Sequence, residues 1–144
     1  MRLYILLLTV LLSLSSVQAQ QRIRKLKDAN DHVKVEEYAQ ALELYELLMS
    51  TNAGQGVMGV DAKINMADCY RMTDKVASAT PLYEQLMMLP NIKEERPDIL
   101  LGYGESLLAT GKYDEARGYF LQYSDRRPDD PKGPEMVRRV DDIQ

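Results

Sequence analysis

Acidic side chains are the most numerous groups in this sequence that could do chemistry, and several stand in adjacent pairs. The pairs are Glu36-Glu37, Glu94-Glu95, Asp129-Asp130 and Asp141-Asp142. Two carboxylates that face each other across a cleft can hydrolyse a glycosidic bond, one acting as general acid and the other as base or nucleophile. Most of these pairs lie at turns or helix starts, where carboxylates cap backbone amides and favour the helix dipole. We therefore predict solvated surface groups, and a small hydrolase stays as an alternative.

Histidine and cysteine offer no further reaction centre. His32 is the one histidine, so a site with several histidine ligands cannot form, and we predict a half-buried packing residue. Cys69 is the one cysteine, so an internal disulfide cannot form, and we predict a buried structural thiol. The motifs His-Glu-x-x-His and Gly-x-Ser-x-Gly are absent from the sequence. We therefore predict no catalytic residue, no metal site and no cofactor.

The N-terminus has the order of a secretory signal peptide. Arg2 supplies a basic start, Leu3 to Leu14 is almost wholly apolar, and the segment ends in small residues before Ala19. The apolar stretch is about a dozen residues, whereas a membrane-spanning helix needs roughly 20. We predict that residues 1–19 are cleaved, which leaves no inserted segment; a retained membrane anchor is the alternative.

The charge balance argues against nucleic acid as a partner. The sequence has 18 basic and 22 acidic residues, and loss of Arg2 lowers its net charge from −4 to −5. An acidic chain of mixed charges is repelled by phosphate backbones. Residues 20–144 fit one small domain, and a small exported domain without disulfides suits a bacterial periplasm.

Apolar residues recur at spacings of three and four, which predicts helices and no strands. Turn-forming residues such as Thr73-Asp74 and Thr110-Gly111 separate the periodic segments. The spacing predicts six helices in three antiparallel pairs and a short terminal helix near Glu135–Ile143. The best-defined periodic segments are Glu36–Met49, Ala62–Met72, Val76–Leu89, Ile99–Ala109 and Tyr113–Tyr123.

The helix pairs form an internal repeat. Ala41, Ala79 and Ala116 mark equivalent positions with periods of 38 and 37 residues. Four residues after each alanine is an aromatic residue, and twelve residues before each is a small one. Small residues let two helices approach closely, and aromatic residues fill the space between helix pairs. These equivalent residues are Tyr45, Tyr83 and Phe120, and Ala29, Ala67 and Gly104.

This pattern resembles the tetratricopeptide repeat, a helix-turn-helix unit of 34 residues. The third unit matches best, while Glu36 and Asp74 replace the turn glycine of the first and second units. The resemblance implies an all-α, right-handed solenoid of three helix hairpins over residues 20–131. Residues 132–144 would form a capping helix or the start of a linker. The third unit carries the resemblance at Leu100, Gly104, Leu107, Gly111, Tyr113, Ala116, Phe120 and Pro128.

A narrower resemblance concerns the signal peptide followed by such repeats, with the phrase from Tyr103 to Ala116. It is similar to the N-terminal part of Bacteroidetes-type envelope proteins that also carry a peptidoglycan-binding domain like that of outer-membrane protein A. The resemblance implies a periplasmic location, possible association with the outer membrane, and envelope partners. The sequence given ends at Gln144, so a structural spacer from a larger protein is an alternative function.

The family resemblance also implies a concave groove lined by the first helix of each unit. Asn30 and Asn65 match the amide pair with which relatives capture a C-terminal carboxylate, but Leu26, Asp98 and Gly102 replace the cationic residues of that clamp. We therefore predict a non-catalytic scaffold or adaptor that binds an internal segment or a folded protein partner. The groove positions are Leu26, Asn30, Val33, Lys34, Ile64, Asn65, Asp68, Arg71, Met72, Leu101, Glu105, Leu108 and Ala109.

Overall fold

The computed structural model describes all residues, 1–144, and every regular element in it is a helix. This confirms the predicted all-α class and the predicted helix pairs. In chain order the helices are α1 (Arg2–Lys34), α2 (Tyr38–Met49), α3 (Asn52–Val57), α4 (Val60–Met72), α5 (Val76–Met87), α6 (Ile92–Glu95), α7 (Asp98–Ala109), α8 (Tyr113–Arg126) and α9 (Lys132–Ile143).

Two short helices, α3 and α6, lie in segments that the periodicity left as insertions. α3 begins because the Thr51 hydroxyl accepts a hydrogen bond from the backbone N–H of Gly54 at 2.9 Å, which caps the helix. α9 begins at Lys132, the first residue of the predicted capping segment 132–144, and the N–H of Lys132 donates to the Asp130 carboxylate at 2.9 Å. The side-chain cap of α3 sets a helix start that apolar spacing does not reveal.

The chain divides into two compact units, residues 1–62 and residues 63–144, and most of α4 lies in the second. In the first unit α1 packs against α2 through Ala29, Ala41, Tyr45 and Leu48, all of which are buried. Residues 1–18 of α1 are exposed, and no residue before Ala29 is buried. The segment 1–18 therefore adds nothing to the core of this unit.

By length and composition, α1 is the one helix that could cross a membrane. Signal sequences and membrane anchors share these properties, so cleavage after Ala19 stays a prediction. α1 runs without interruption from Arg2 through Ala19 to Lys34. Removal of residues 1–19 would therefore shorten α1 without touching the part that packs on α2.

In the second unit, α7 packs against α5, α6 and α8, and α9 packs against α8. The aromatic rings of Tyr83 and Phe120 are fully buried beside Ala79 and Ala116. Gly104 is needed for the close approach, since a Cβ there would lie 2.5 Å from Cε1 of Phe120. The predicted small and aromatic positions of the repeat are thus confirmed as core.

The first helix of each unit of the repeat ends in the same turn. Glu36, Asp74 and Gly111 have φ of 62°, 59° and 79°, the left-handed conformation that favours glycine. In each turn the next residue donates its N–H to the carbonyl five positions back, a Schellman-type ending, as in Glu37 N–H to His32 O at 2.9 Å. The acidic residues thus take the glycine's conformation as well as its place.

The terminal helix α9 caps the second unit largely as predicted. Met136 and Val140 are buried, and Arg138 and Arg139 are exposed. Ile143, in the last turn of the helix, is 50% exposed, so its side chain is not part of the core beneath α9. A bidentate ion pair between Arg117 and Asp141, with Nε to Oδ1 at 2.7 Å, adds a polar attachment between α8 and α9.

Candidate protein-interaction site

Within the second unit, a cavity of about 280 Å³ lies among α4, α7 and α9. We call it the α4/α7/α9 pocket. Four predicted groove residues come together there: Arg71, Glu105, Leu108 and Ala109. The first helices of successive repeats supply them, which is the arrangement that the resemblance implied. The remaining lining residues are Asp74, Val76, Met136 and Arg139.

A polar network fixes one wall of the pocket. The Nη1 of Arg71 lies 2.6 Å from Oε2 of Glu105, and its other nitrogens lie 3.4 Å from Asp68 Oδ1 and from the Tyr83 hydroxyl. The hydroxyl of Tyr83 in turn donates a hydrogen bond to Asp68. Arg71 thus holds both carboxylates, and the three side chains together carry a formal net charge of −1.

Burial governs the titration of this network. Desolvation raises the pKa of Asp68, against the opposing hydrogen bond from Tyr83 and the charge of Arg71. Desolvation and the neighbouring Asp68 carboxylate also raise the pKa of Tyr83, so the phenol stays a hydrogen-bond donor. The network therefore holds one proton on Tyr83 and points it at Asp68.

Arg139 is the exposed cation of the pocket and makes no ion pair in the structure. The apolar part of the lining comes from Leu108 and Ala109 of α7 and from Met136 of α9. Sequence reasoning missed Met136 and Arg139 as lining residues. The repeat period could have indicated them. Arg139 follows Gly102 by 37 residues, so α9 stands where the first helix of a fourth unit would stand.

The groove prediction for Ile64 is wrong. Ile64 is 1% exposed and packs in the core of the second unit, so a partner could not reach it. On the same helix Asn65 is half-buried and Met72 is exposed, and on α7 Leu101 is half-buried. For these three residues the groove assignment stays a prediction.

The first unit holds the remaining predicted groove residues. Leu26, Asn30 and Val33 are half-buried on α1, and Lys34 is exposed with its Nζ 2.8 Å from Oδ1 of Asp31. The side-chain oxygen of Asn30 accepts a hydrogen bond from the hydroxyl of the buried Tyr45 at 2.6 Å. The Asn30 oxygen already has this internal partner, which the clamp analogy did not anticipate.

The structure also explains why position 102 holds glycine, where the relatives that capture a C-terminal carboxylate have a cationic residue. A Cβ on Gly102 would lie 2.7 Å from the Tyr83 hydroxyl oxygen and 3.0 Å from Oδ1 of Asp68. The hydrogen-bonded pair of Tyr83 and Asp68 thus occupies the space that a longer side chain at residue 102 would need.

The two other side chains that could react, the thiol of Cys69 and the imidazole of His32, have structural roles. Burial raises the pKa of Cys69 to about 12, so its thiol is not nucleophilic, as the structural interpretation predicts. His32 is half-buried as predicted, with Nδ1 at 2.5 Å from Oε2 of Glu37.

One carboxylate of each adjacent acidic pair has a side-chain partner: Glu37, Glu94, Asp130 and Asp141. Glu94 lies 3.0 Å from Arg126, and the hydroxyl of Tyr123 donates to Asp130 at 2.5 Å. These hydrogen bonds lower the pKa of Glu94 and of Asp130. A glycosidase acid needs a raised pKa, so the shifts run opposite to that role.

Comparison with known proteins agrees with this geometry. A family model described as "Tetratricopeptide repeat" matches residues 74–133. No curated protein matches the chain in sequence.

Several solved structures share the fold at low sequence identity. The TPR domain of P58(IPK) superposes with a TM-score of 0.70 at 16% identity over 86% of this chain, which spans about a third (34%) of that structure. The first TPR domain of Spaghetti (RPAP3), solved with an HSP90 peptide, gives a TM-score of 0.68 at 16% identity and covers 87% of this chain and 94% of that one. The second TPR domain of human RPAP3, solved with an HSP70 peptide, gives 0.65 at 19% identity and covers 85% and 98%. The chain therefore has the fold of tetratricopeptide-repeat domains, and its residues 74–133 match the model of that family.

Proposed function

We propose that this chain is a non-catalytic protein-interaction module that binds a segment of another protein in the α4/α7/α9 pocket. The observation that carries the proposal is the convergence of the predicted groove residues Arg71, Glu105 and Leu108 in one cavity. The peptide complexes of the two RPAP3 domains support a protein segment as the class of partner.

The side chains that line the pocket restrict which partner segments can bind there. Leu108 and Met136 offer an apolar surface, and Arg139 offers a cation without an internal partner. Arg71 is already neutralised by Glu105 and Asp68. The exposed carboxylate of Asp74 also lines the pocket, so the pocket suits an apolar side chain flanked by polar groups that can pair with Arg139 and with Asp74. Because Gly102 leaves no room for a clamp cation, we propose an internal segment or a folded partner, not a free carboxyl terminus.

We propose further that the module acts in the bacterial cell envelope after export and removal of residues 1–19. The support is the order of basic start, apolar stretch and small residues at the N-terminus. A structural spacer in a larger peptidoglycan-associated protein is the second candidate. The ion pairs of Arg71 with Asp68 and Glu105 favour it, since these three side chains already have partners within the chain.

Two charge reversals, at Arg139 in the pocket and at the adjacent Arg138 outside it, test whether the partner binds in the pocket. Residues 20–144 serve as bait in an envelope extract, and a recovered protein is then titrated directly against the purified bait by calorimetry. Arg139→Glu should weaken that affinity at least tenfold, because it replaces the exposed cation of the pocket and a central charged contact is worth about 1.4 kcal/mol or more.

Arg138→Glu is the matched control, since it makes the same charge change on the adjacent exposed residue, which does not line this pocket. Equal affinities of wild type and both variants would refute binding in the pocket. Recovery of no specific protein would favour the spacer.

A further inference from the structure

The charges of this chain are segregated along its length. Five of the 18 basic residues and none of the 22 acidic residues precede Asp28. Residues 1–27 therefore carry a net charge of +5, and residues 28–144 carry −9. The overall charge of −4 conceals a basic end on an acidic chain.

Four of the five cations lie close together on α1, in the segment from Arg22 to Lys27 that we call the basic segment. Arg24 is exposed, and Arg22 and Lys25 line a cavity against the end of α2 and α3 in which there is no carboxylate. These three residues form no ion pair in the structure, whereas Lys27 pairs with Asp31 at 2.5 Å. The basic segment therefore presents three cations without an ion pair within one turn of helix, next to the exposed carboxylate of Asp28.

An apolar side chain stands among these cations. Ile23 is 59% exposed on the surface of the basic segment, between Arg22 and Arg24. Cations that flank an exposed apolar residue on a helix suit an interface where phosphate groups border acyl chains. A nucleic acid offers the phosphates without the apolar layer.

We propose that the basic segment binds the surface of an anionic phospholipid membrane. The inference extends the proposed export, since removal of residues 1–19 would place the segment, with one more charge from the new amino group, at the N-terminus. Of the nearby acidic residues, Asp31 is paired with Lys27 and Lys34, and Asp28 leaves the segment with a net positive charge. Acidic residues beyond about 8–10 Å are screened at physiological salt, so they repel the membrane weakly while the segment lies on it. The contact is peripheral and needs no insertion.

The test uses residues 20–144 and sedimentation with two kinds of vesicle, pure phosphatidylcholine and an equal mixture with phosphatidylglycerol. Residues 1–18 are exposed and add nothing to the core, so the shortened chain keeps its packing. We expect binding to the anionic vesicles alone and loss of that binding in high salt. Each basic residue near such a surface contributes about fivefold in affinity, so a variant with Arg22, Arg24 and Lys25 each changed to Gln should bind about 100-fold more weakly.

The control variant changes the exposed Lys75, Lys112 and Lys132 to Gln and removes the same charge elsewhere. An equal loss in both variants, or no difference between the two vesicles, would overturn the proposal. Tighter binding to a single-stranded oligonucleotide than to anionic vesicles, or self-association through the basic segment without vesicle binding, would overturn it as well. Arg139→Glu should keep vesicle binding within about twofold, so a failure of the pocket and a failure of the basic segment are distinguishable.

Discussion

Replacing the two acidic residues in left-handed turns by glycine should stabilise the protein. Glu36 and Asp74 have φ of 62° and 59°, at the positions where the third unit has Gly111 with φ of 79°. An L-residue in this conformation costs about 1–2 kcal/mol, and the greater freedom of glycine in the unfolded chain takes back about 0.5–1 kcal/mol. Glu36→Gly should therefore raise the free energy of unfolding by about 1 kcal/mol. Asp74→Gly should raise it by roughly half as much, because aspartate tolerates this conformation better than glutamate.

Thermal and urea unfolding followed by circular dichroism measure this effect. For a chain of this size, about 1 kcal/mol corresponds to roughly 4 °C in Tm. The reverse change, Gly111→Ala, should lower stability by about 1–2 kcal/mol.

Lys75→Gly is the matched control for Asp74→Gly. Lys75 is the adjacent residue and is also exposed, but its φ is −93°, so glycine brings only its entropic cost there, about 0.5–1 kcal/mol. If Asp74→Gly and Lys75→Gly lower Tm alike, the left-handed turn is not strained and the reasoning is wrong.

Three further predictions concern the second unit. Gly104→Ala should lower the free energy of unfolding in urea by about 1–3 kcal/mol, because the added methyl group clashes with the ring of Phe120. Gly118→Ala is the control: its methyl group meets no atom within 4 Å, so it should raise the free energy of unfolding by up to about 1 kcal/mol. Equal effects of the two changes would contradict the packing argument. Deleting residues 132–144 uncovers the core beneath α9, removes two buried apolar side chains and should cost about 3–5 kcal/mol, and an unchanged Tm would mean that α9 is only a linker. Tyr123→Phe removes the hydrogen bond that lowers the pKa of Asp130, so in a carboxyl NMR titration that pKa should rise towards 3.8, and an unmoved pKa would contradict the assigned cause.

The helix pairs and their register were predictable because packing repeats at fixed intervals. Ala41, Ala79 and Ala116 are all fully buried, as their periods of 38 and 37 residues predicted. A small residue at such a position has one physical use, the close approach of two helices, so its role can be deduced without coordinates. Ile64 shows the limit of this reasoning: position on a first helix does not tell whether an apolar side chain faces a groove or the core.

The short helices depend on local chemistry that periodicity does not detect, whereas the left-handed turns depend on the packing of the helices around them. α3 follows from one hydrogen bond between the Thr51 hydroxyl and Gly54, within a segment that apolar spacing leaves blank. The turns at Glu36 and Asp74 contradict local preference, because neither residue favours a positive φ. They form because the two helices on either side of each turn pack together, which is a tertiary cause that propensity cannot supply.

The polar residues on the first helices were assigned to partner binding, but the buried aromatic residues decide which of them are available. Asn30 and Asp68 each stand 15 residues before a buried tyrosine and accept its hydrogen bond, because a buried phenol needs an acceptor. In the third unit the equivalent aromatic residue is Phe120, which has no hydroxyl, so Glu105 is free to pair with Arg71. Each such acceptor is therefore best assigned first to the core, and the proposed partner site depends on the groups that this assignment leaves exposed.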